Sequence, residues 1–448
     1  MDDFAKGGPR GKYEPGDREE VLNPRKPIYA LLIIGVAITL ALTFTPYALI
    51  SRAREAVAAY THINTDSISP GGTSAPVAVS TPTPAPAPAF DVVSWYTNRG
   101  DDPARHGVLV EPCGGGGATL AEDQPDVGFN PASLVKLSTS LTALKTLGKD
   151  YRFETKVYLD GTVDKSGNLR GRLVVAGNDP TFGDFNAALI SKKLAERGVK
   201  KFSEEMVVTQ DFTFNFSGKP DESAERLAKA LKLTPKTYTV GDAPQGEPAF
   251  SVQSYPLSDI LLYMNAHSSN FVAERLGNMV GGPEGVRNFL INEVKLPPEQ
   301  VYLSTTSGLE INRLTPRGLL AIVRALDAEA QRQGLQLADI MAVASDDYGT
   351  LRRRMVGTPL EGAVVAKTGT LVHDDGGMAS LGGVVYTQRM GKVCFVVLNQ
   401  GSSVAENRQI TDQLLTEIIL SQDAPAPIPK PEKPRHMLES TDLEVLEH

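Results

Sequence analysis

The sequence predicts an α+β protein, and three stretches carry that reading. Residues 130–148 repeat leucines at helical steps (Leu134, Leu137, Leu141, Leu144). Residues 256–278 hold two apolar helical runs, one with Ile260, Leu261 and Met264, the other with Phe271, Val272 and Leu276, split by a polar turn. Ala379–Thr387 and Lys392–Leu398 are β-rich runs joined by the short connection Gln388–Gly391, an antiparallel hairpin, and Val364–Ala366 reads as a further strand. With 448 residues and 41% hydrophobic content, the chain can fill one large or two medium domains.

The first helix carries the first chemistry. Pro131 and Gly148 are its start and stop signals, so Ser133 opens the helix and Lys136 follows one turn along the same side. Burial beside the leucine stripe would lower the lysine pKa and make it a base for the serine hydroxyl. The helix N-terminus adds partial positive charge where an oxyanion would form. The same residues also fit a serine N-cap followed by a solvated lysine.

The polar turn at Ser268-Ser269-Asn270 is the second feature; either serine there can cap the following helix and Asn270 can be a plain turn residue. His267 beside it reads as an ordinary polar residue of the corner. The third feature is Lys367-Thr368-Gly369-Thr370 at the end of the strand, where Gly369 lets another backbone approach closely. A Ser-x-x-Lys string is expected about once by chance in a chain this long, and Lys-Thr-Gly less often. The ordered set carries the weight.

That set, Ser-x-x-Lys at a helix start, Ser-x-Asn between helices and Lys-Thr-Gly on a strand, resembles the signature of penicillin-binding proteins and serine β-lactamases. Asn130–Leu137, Leu147–Tyr158, Gly167–Pro180, Ser307-Gly308-Leu309 with Asn312–Pro316, and Gly349-Thr350-Leu351 are similar to the penicillin-binding protein 4 type (class C) D-alanyl-D-alanine carboxypeptidase/endopeptidase family, over about residues 91–420. The resemblance implies a five-stranded antiparallel sheet flanked by helices and joined to a helical lobe. The catalytic domain would comprise 91–149 and 246–422, with a small α+β subdomain inserted at 150–245. It implies Ser133 as nucleophile, Lys136 as its base, Ser268 and Lys367 relaying a proton, and Asn270 holding the substrate amide. Thr368, Gly369 and Thr370 would form the substrate-binding strand, with the N–H groups of Ser133 and Thr370 as oxyanion hole. No cofactor or metal is implied. Two departures stand out. Only about 135 residues separate Ser133 from Ser268 where the family usually has well over 200, and Thr305-Thr306 replaces the usual Asp-Gly before Ser-Gly-Leu.

The rest of the chain fits an exported enzyme. A net charge of −8 without a basic cluster in the core argues against nucleic acid. Residues 27–51 carry no charge and are long enough to span a bilayer. Arg25 and Lys26 favour a cytoplasmic tail at 1–26 and a single anchor, although Arg52 and Arg54 stand on the far side. Residues 52–90 form a linker whose 65–89 are rich in Pro, Ala, Ser and Thr, and 423–448 read as an unstructured tail. His373 with Asp374 and Asp375 reads as a solvated loop rather than a metal site. In the resembled fold Cys113 and Cys394, 281 positions apart, fall on neighbouring strands; a disulfide and two free thiols both stay open.

The expectation is therefore a membrane-anchored serine D-Ala-D-Ala carboxypeptidase, or endopeptidase, on the outer side of a bacterial cytoplasmic membrane. It would act on peptidoglycan stem peptides and bind β-lactams. A serine β-lactamase and a catalytically idle wall-binding protein are the alternatives.

Overall fold

The leucine repeat of 130–148 becomes a helix with no exposed face over its first ten residues. A 3₁₀ turn, Ala132–Leu134, leads into helix Val135–Leu147, and every residue from Val135 to Leu144 is buried. Its polar residues are paired inside: the Thr139 hydroxyl donates to Thr306 O at 2.6 Å, and Asn265 Nδ2 donates to Ser140 Oγ at 3.0 Å. Gly148, at φ +86°, ends the helix as expected.

The computed structural model describes residues 88–345, 347–401, 403–429, 438 and 442–448. Helix α1 (Val92–Thr97) and strands β1 (His106–Pro112) and β2 (Ala121–Asp123) precede that central helix, α2 (Val135–Leu147). Next come β3 (Glu154–Val163), β4 (Asn168–Ala176), α3 (Asp184–Glu196), β5 (Lys201–Phe202), β6 (Glu205–Val208), α4 (Pro220–Ala230), β7 (Thr237–Val240) and β8 (Phe250–Gln253). A helical lobe follows, with α5 (Leu257–His267), α6 (Asn270–Met279), α7 (Gly282–Asn292), the short pair β9 (Val301–Tyr302) and β10 (Arg313–Leu314), and α8 (Pro316–Arg332). Strands β11 (Ala342–Val343), β12 (Val364–Leu371), β13 (Met378–Thr387) and β14 (Gly391–Gln400), helix α9 (Val404–Gln422) and strand β15 (Glu444–Glu447) complete the chain.

The main sheet is antiparallel in the order β11-β12-β13-β14-β1-β2. It has six strands rather than the five expected, because the edge strands β11 and β2 are two and three residues long. Such stretches carry too little periodicity to be read from sequence. Alternate residues face two cores: Leu109, Val365, Val384 and Val396 pack under α2 and α8, and Val108, Val364, Val385 and Phe395 under α1 and α9. With both faces covered, the strands read as continuous apolar runs. Cys113 and Cys394 are joined by a disulfide that staples the neighbouring strands β1 and β14.

The insert is a mixed sheet in the order β15-β8-β3-β4-β6-β7, with β5 beside β4. Its long central strands β3 and β4 pair antiparallel, Lys156 opposite Ala176. The expected boundary at 245 falls short, since β8 pairs with β3 through Phe250–Val157 and neighbouring residues. The reading of 423–448 as unstructured is corrected too. Asp423 accepts from the N–H groups of Arg389 and Met390 at 2.9 Å, Ala426 N donates to Tyr386 O at 2.8 Å, and β15 adds an edge strand to β8. The prolines at 425–429 hide these contacts because they lack donors, yet their neighbours supply them. At the other end, Phe90 N already donates to Leu120 O at 2.7 Å, so chain read as linker to residue 90 joins the sheet at its last residue. The tail at 1–26, the anchor at 27–51 and nearly all of the linker lie outside the described residues. Among the described residues no helix is long and apolar enough to cross a membrane.

Candidate active site

Three segments converge on one buried amine. Lys136 is fully buried, and its Nζ donates to Ser133 Oγ at 3.0 Å, to Asn270 Oδ1 at 2.7 Å and to Ser307 O at 2.5 Å. Burial, opposed in part by the Glu274 carboxylate, lowers its pKa from the ordinary lysine range to about 7. Ser133 makes no capping hydrogen bond, so the N-cap reading of its hydroxyl does not hold.

The Ser133 turn is held from two sides. Ala132 takes a left-handed conformation, φ +51°, which turns the chain sharply before the helix. Its carbonyl packs against Gly308, where an added Cβ would lie 2.0 Å from Ala132 O at a φ of +83°. Gly369 presses on the other flank, where a Cβ would stand 2.7 Å from Pro131 O, and the Ser380 hydroxyl donates to that carbonyl at 2.9 Å.

The turn between α5 and α6 divides its tasks by position. Ser269 is the N-cap of α6, its hydroxyl accepting from Val272 N at 3.3 Å. Ser268 ends α5 at φ +54° and keeps its hydroxyl for the site. Lys367 Nζ donates to it at 2.8 Å and to Thr368 O at 2.7 Å. Lys367 is fully buried; burial, and then the nearby charge of Lys136, holds its pKa well below the ordinary lysine value.

Strand alternation sends Thr368 and Thr370 into a cleft of about 930 Å³ that Ser133, Ser268 and Asn270 also line. The Cα–H of Gly369 faces the nucleophile turn, where the missing Cβ allows the close approach. Thr368 donates to Thr350 Oγ1 at 2.9 Å, and Arg408 on α9 donates to Thr370 Oγ1 at 2.8 Å. Past Ala366 the outer edge of β12 has no strand partner among the described residues, since β11 reaches only Val365 and Ala366.

Sequence reasoning missed two residues here. Arg408 sits in the polar first half of α9 with nothing to mark it. Glu274, one turn after Asn270 on α6, accepts from Ser307 N at 3.0 Å and from the Thr306 hydroxyl at 2.8 Å. The spacing of four from Asn270 was its one available signal.

A serine hydroxyl beside a buried amine, on a sheet edge open for an extended peptide, belongs to a serine peptidase that works through an acyl-enzyme, built on the penicillin-binding-protein fold. The chain belongs to the D-Ala-D-Ala carboxypeptidase 3 (S13) family, whose profile matches residues 96–221 and 217–418. It is a serine-type D-Ala-D-Ala carboxypeptidase. Carboxypeptidase Rv3627c of Mycobacterium tuberculosis is 27% identical over 370 residues, covering 67% of this chain and 77% of that protein. Among solved structures, a predatory peptidoglycan endopeptidase of Bdellovibrio bacteriovorus, acylated by penicillin G, superposes with a TM-score of 0.64 at 20% identity, covering 76% of this chain and 99% of that one. Penicillin-binding protein 4 of Haemophilus influenzae, complexed with a β-lactam, gives 0.60 at 20% identity, covering 73% and 99%. At these identities the two structures share the fold.

Proposed function

We propose that the chain removes the terminal D-Ala from peptidoglycan stem peptides, with Ser133 as nucleophile and neutral Lys136 as its base. The observation that carries this is the buried Lys136 amine 3.0 Å from Ser133 Oγ. At a pKa near 7 a large share of it holds a lone pair at neutral pH. Ser133 Oγ bonds to the carbonyl carbon of the penultimate D-Ala while its proton passes to Lys136. The C–N bond then breaks, and the leaving amine takes a proton from Ser268, which Lys367 backs at 2.8 Å. The proton held by Lys136 restores Ser268; water then bonds to the acyl carbon as the ester C–O bond breaks, and a water proton goes to Ser133. In this reading Asn270 orients the substrate amide, Thr368 and Thr370 face the terminal carboxylate, and the N–H groups of Ser133 and Thr370 receive the oxyanion. Arg408 adds positive charge on the carboxylate side.

A penicillin presents a strained amide to the same serine, so it acylates Ser133 and leaves slowly. Rapid turnover would need a base for the deacylating water. Glu274, which reaches this site, is committed to Thr306 and Ser307, and this disfavours the β-lactamase reading. The uncharged stretch 27–51 supports a single-span anchor that holds the enzyme on the outer face of the cytoplasmic membrane.

The test is incubation of the full chain with a pentapeptide ending in D-Ala-D-Ala and, separately, with a cross-linked stem-peptide dimer. Release of one D-Ala from the pentapeptide is the expected result. Cleavage of the dimer alone would make it an endopeptidase, and fast penicillin hydrolysis without D-Ala release would overturn the reading.

A further inference from the structure

Lys136 has a second layer of support that its motif does not contain. Its shortest contact is to Ser307 O at 2.5 Å, and that carbonyl belongs to a loop held by Glu274. One oxygen of Glu274 accepts from Ser307 N at 3.0 Å, and the other accepts from the Thr306 hydroxyl at 2.8 Å. Thr306 Oγ1 also lies 3.1 Å from Ala273 O, and Thr139 donates to Thr306 O at 2.6 Å. The fit is close. At Gly277, two residues before the end of α6, an added Cβ would sit 2.2 Å from Thr306 Oγ1. Thr306 thus occupies a notch that α6 leaves open at Gly277.

We propose that Glu274 is a positioning residue for the base: it fixes the Thr306–Ser307 peptide against Lys136, and its charge offsets the ammonium formed when Lys136 takes the Ser133 proton. The ionisable groups facing Lys136 are few. Helix α6 brings Glu274, and β12 brings Lys367, whose charge acts in the opposite sense. The other packed helices bring none to it: α8 carries Glu329 to Lys145 at the far end of α2, α5 places Asn265 on Ser140, and α7 adds Val286 and Leu290 to the apolar core. Loss of the Glu274 charge leaves the ammonium less favoured, so the amine stays neutral to lower pH. A weaker, less well-placed base then acts over a wider pH range.

This rests on the reading of Ser133 and Lys136 given above, and the experiment separates the two. The rate of acylation of the full chain by a fluorescent penicillin is measured against pH for wild type, Ser133→Ala, Glu274→Gln and Glu274→Asp. An unlabelled wild type would sink the function reading itself. With wild type labelled and the Ala variant not, Glu274→Gln moves the acid limb down by about half a pH unit or more and lowers the plateau about tenfold. A purely structural role lowers the plateau and leaves the limb in place, so an unmoved limb overturns the proposal. Should Glu274→Gln fail to fold, Glu274→Asp decides: its shorter carboxylate cannot reach both Ser307 N and the Thr306 hydroxyl. With the charge drawn back, the acid limb moves down by less than in the Gln variant and the plateau falls severalfold at unchanged penicillin affinity; an unmoved limb overturns the proposal.

Discussion

Lys136 and Asn270 meet at 2.7 Å across 134 positions of chain, and this contact joins the central helix α2 to the start of α6. It fixes which side of the amine is left for Ser133. Asn270 and Ser307 O each take one direction of the amine, so the remaining one points at the serine hydroxyl at 3.0 Å. The lysine is held by two acceptors, neither of which it can deprotonate, and so its exchangeable proton partner is Ser133.

The first prediction follows from that amine. Burial puts its pKa at about 7, below the ordinary lysine value. Below that pH Lys136 is an ammonium with no lone pair; above it the amine is free, so acylation rises through about pH 7 and levels off. Lys136→Arg keeps a charge that proteins do not remove, and acylation falls by about 10²–10⁴-fold. A folded Arg variant with near wild-type acylation by stopped-flow would show that charge alone suffices.

Ser268→Ala removes the hydroxyl between Lys367 and the leaving amine while keeping the left-handed backbone at that position. D-Ala release drops about 10²-fold in kcat with KM changed little. Steady-state kinetics on the pentapeptide decide it, and a loss confined to KM would reassign Ser268 to binding.

Gly308→Ala drives a Cβ to 2.0 Å from Ala132 O at a φ of +83°. The variant loses about 1–3 kcal/mol of stability and also acylates slowly, because the displaced residue is the neighbour of the nucleophile. Denaturant unfolding paired with penicillin labelling tests both parts. Wild-type values in both would mean the turn yields without cost.

The disulfide between Cys113 and Cys394 closes a loop of 281 positions. Reduction costs about 5–6 kcal/mol of stability on the chain-entropy argument. Thermal unfolding with and without reductant measures it, and native protein should show no thiol to a maleimide. Modification of either cysteine in the unreduced chain would contradict the bridge.

The parts of the site legible in sequence were those whose residues sit in local motifs. Ser133 and Lys136 are one helical turn apart, and Lys367 to Thr370 lie along one strand, so period and turn chemistry alone placed them on their elements. Gly369 reads from sequence as a close approach, and an added Cβ there would stand 2.7 Å from Pro131 O. Glu274 and Arg408 escaped notice since their meaning lies in contacts 33 and 38 positions away. The edge strand Glu444–Glu447 was lost for a similar reason. Four residues carry no readable period, and their partners at 250–253 lie far back in the chain.

The most direct test of the central claim is where a penicillin ends up. Wild-type chain incubated with benzylpenicillin and analysed by intact mass and peptide mapping should gain one intact antibiotic, bonded to Ser133. The Ser133→Ala variant should gain none while unfolding at a similar temperature. An adduct on any other residue, or an undiminished adduct on the Ala variant, would contradict the account of Ser133 as the nucleophile.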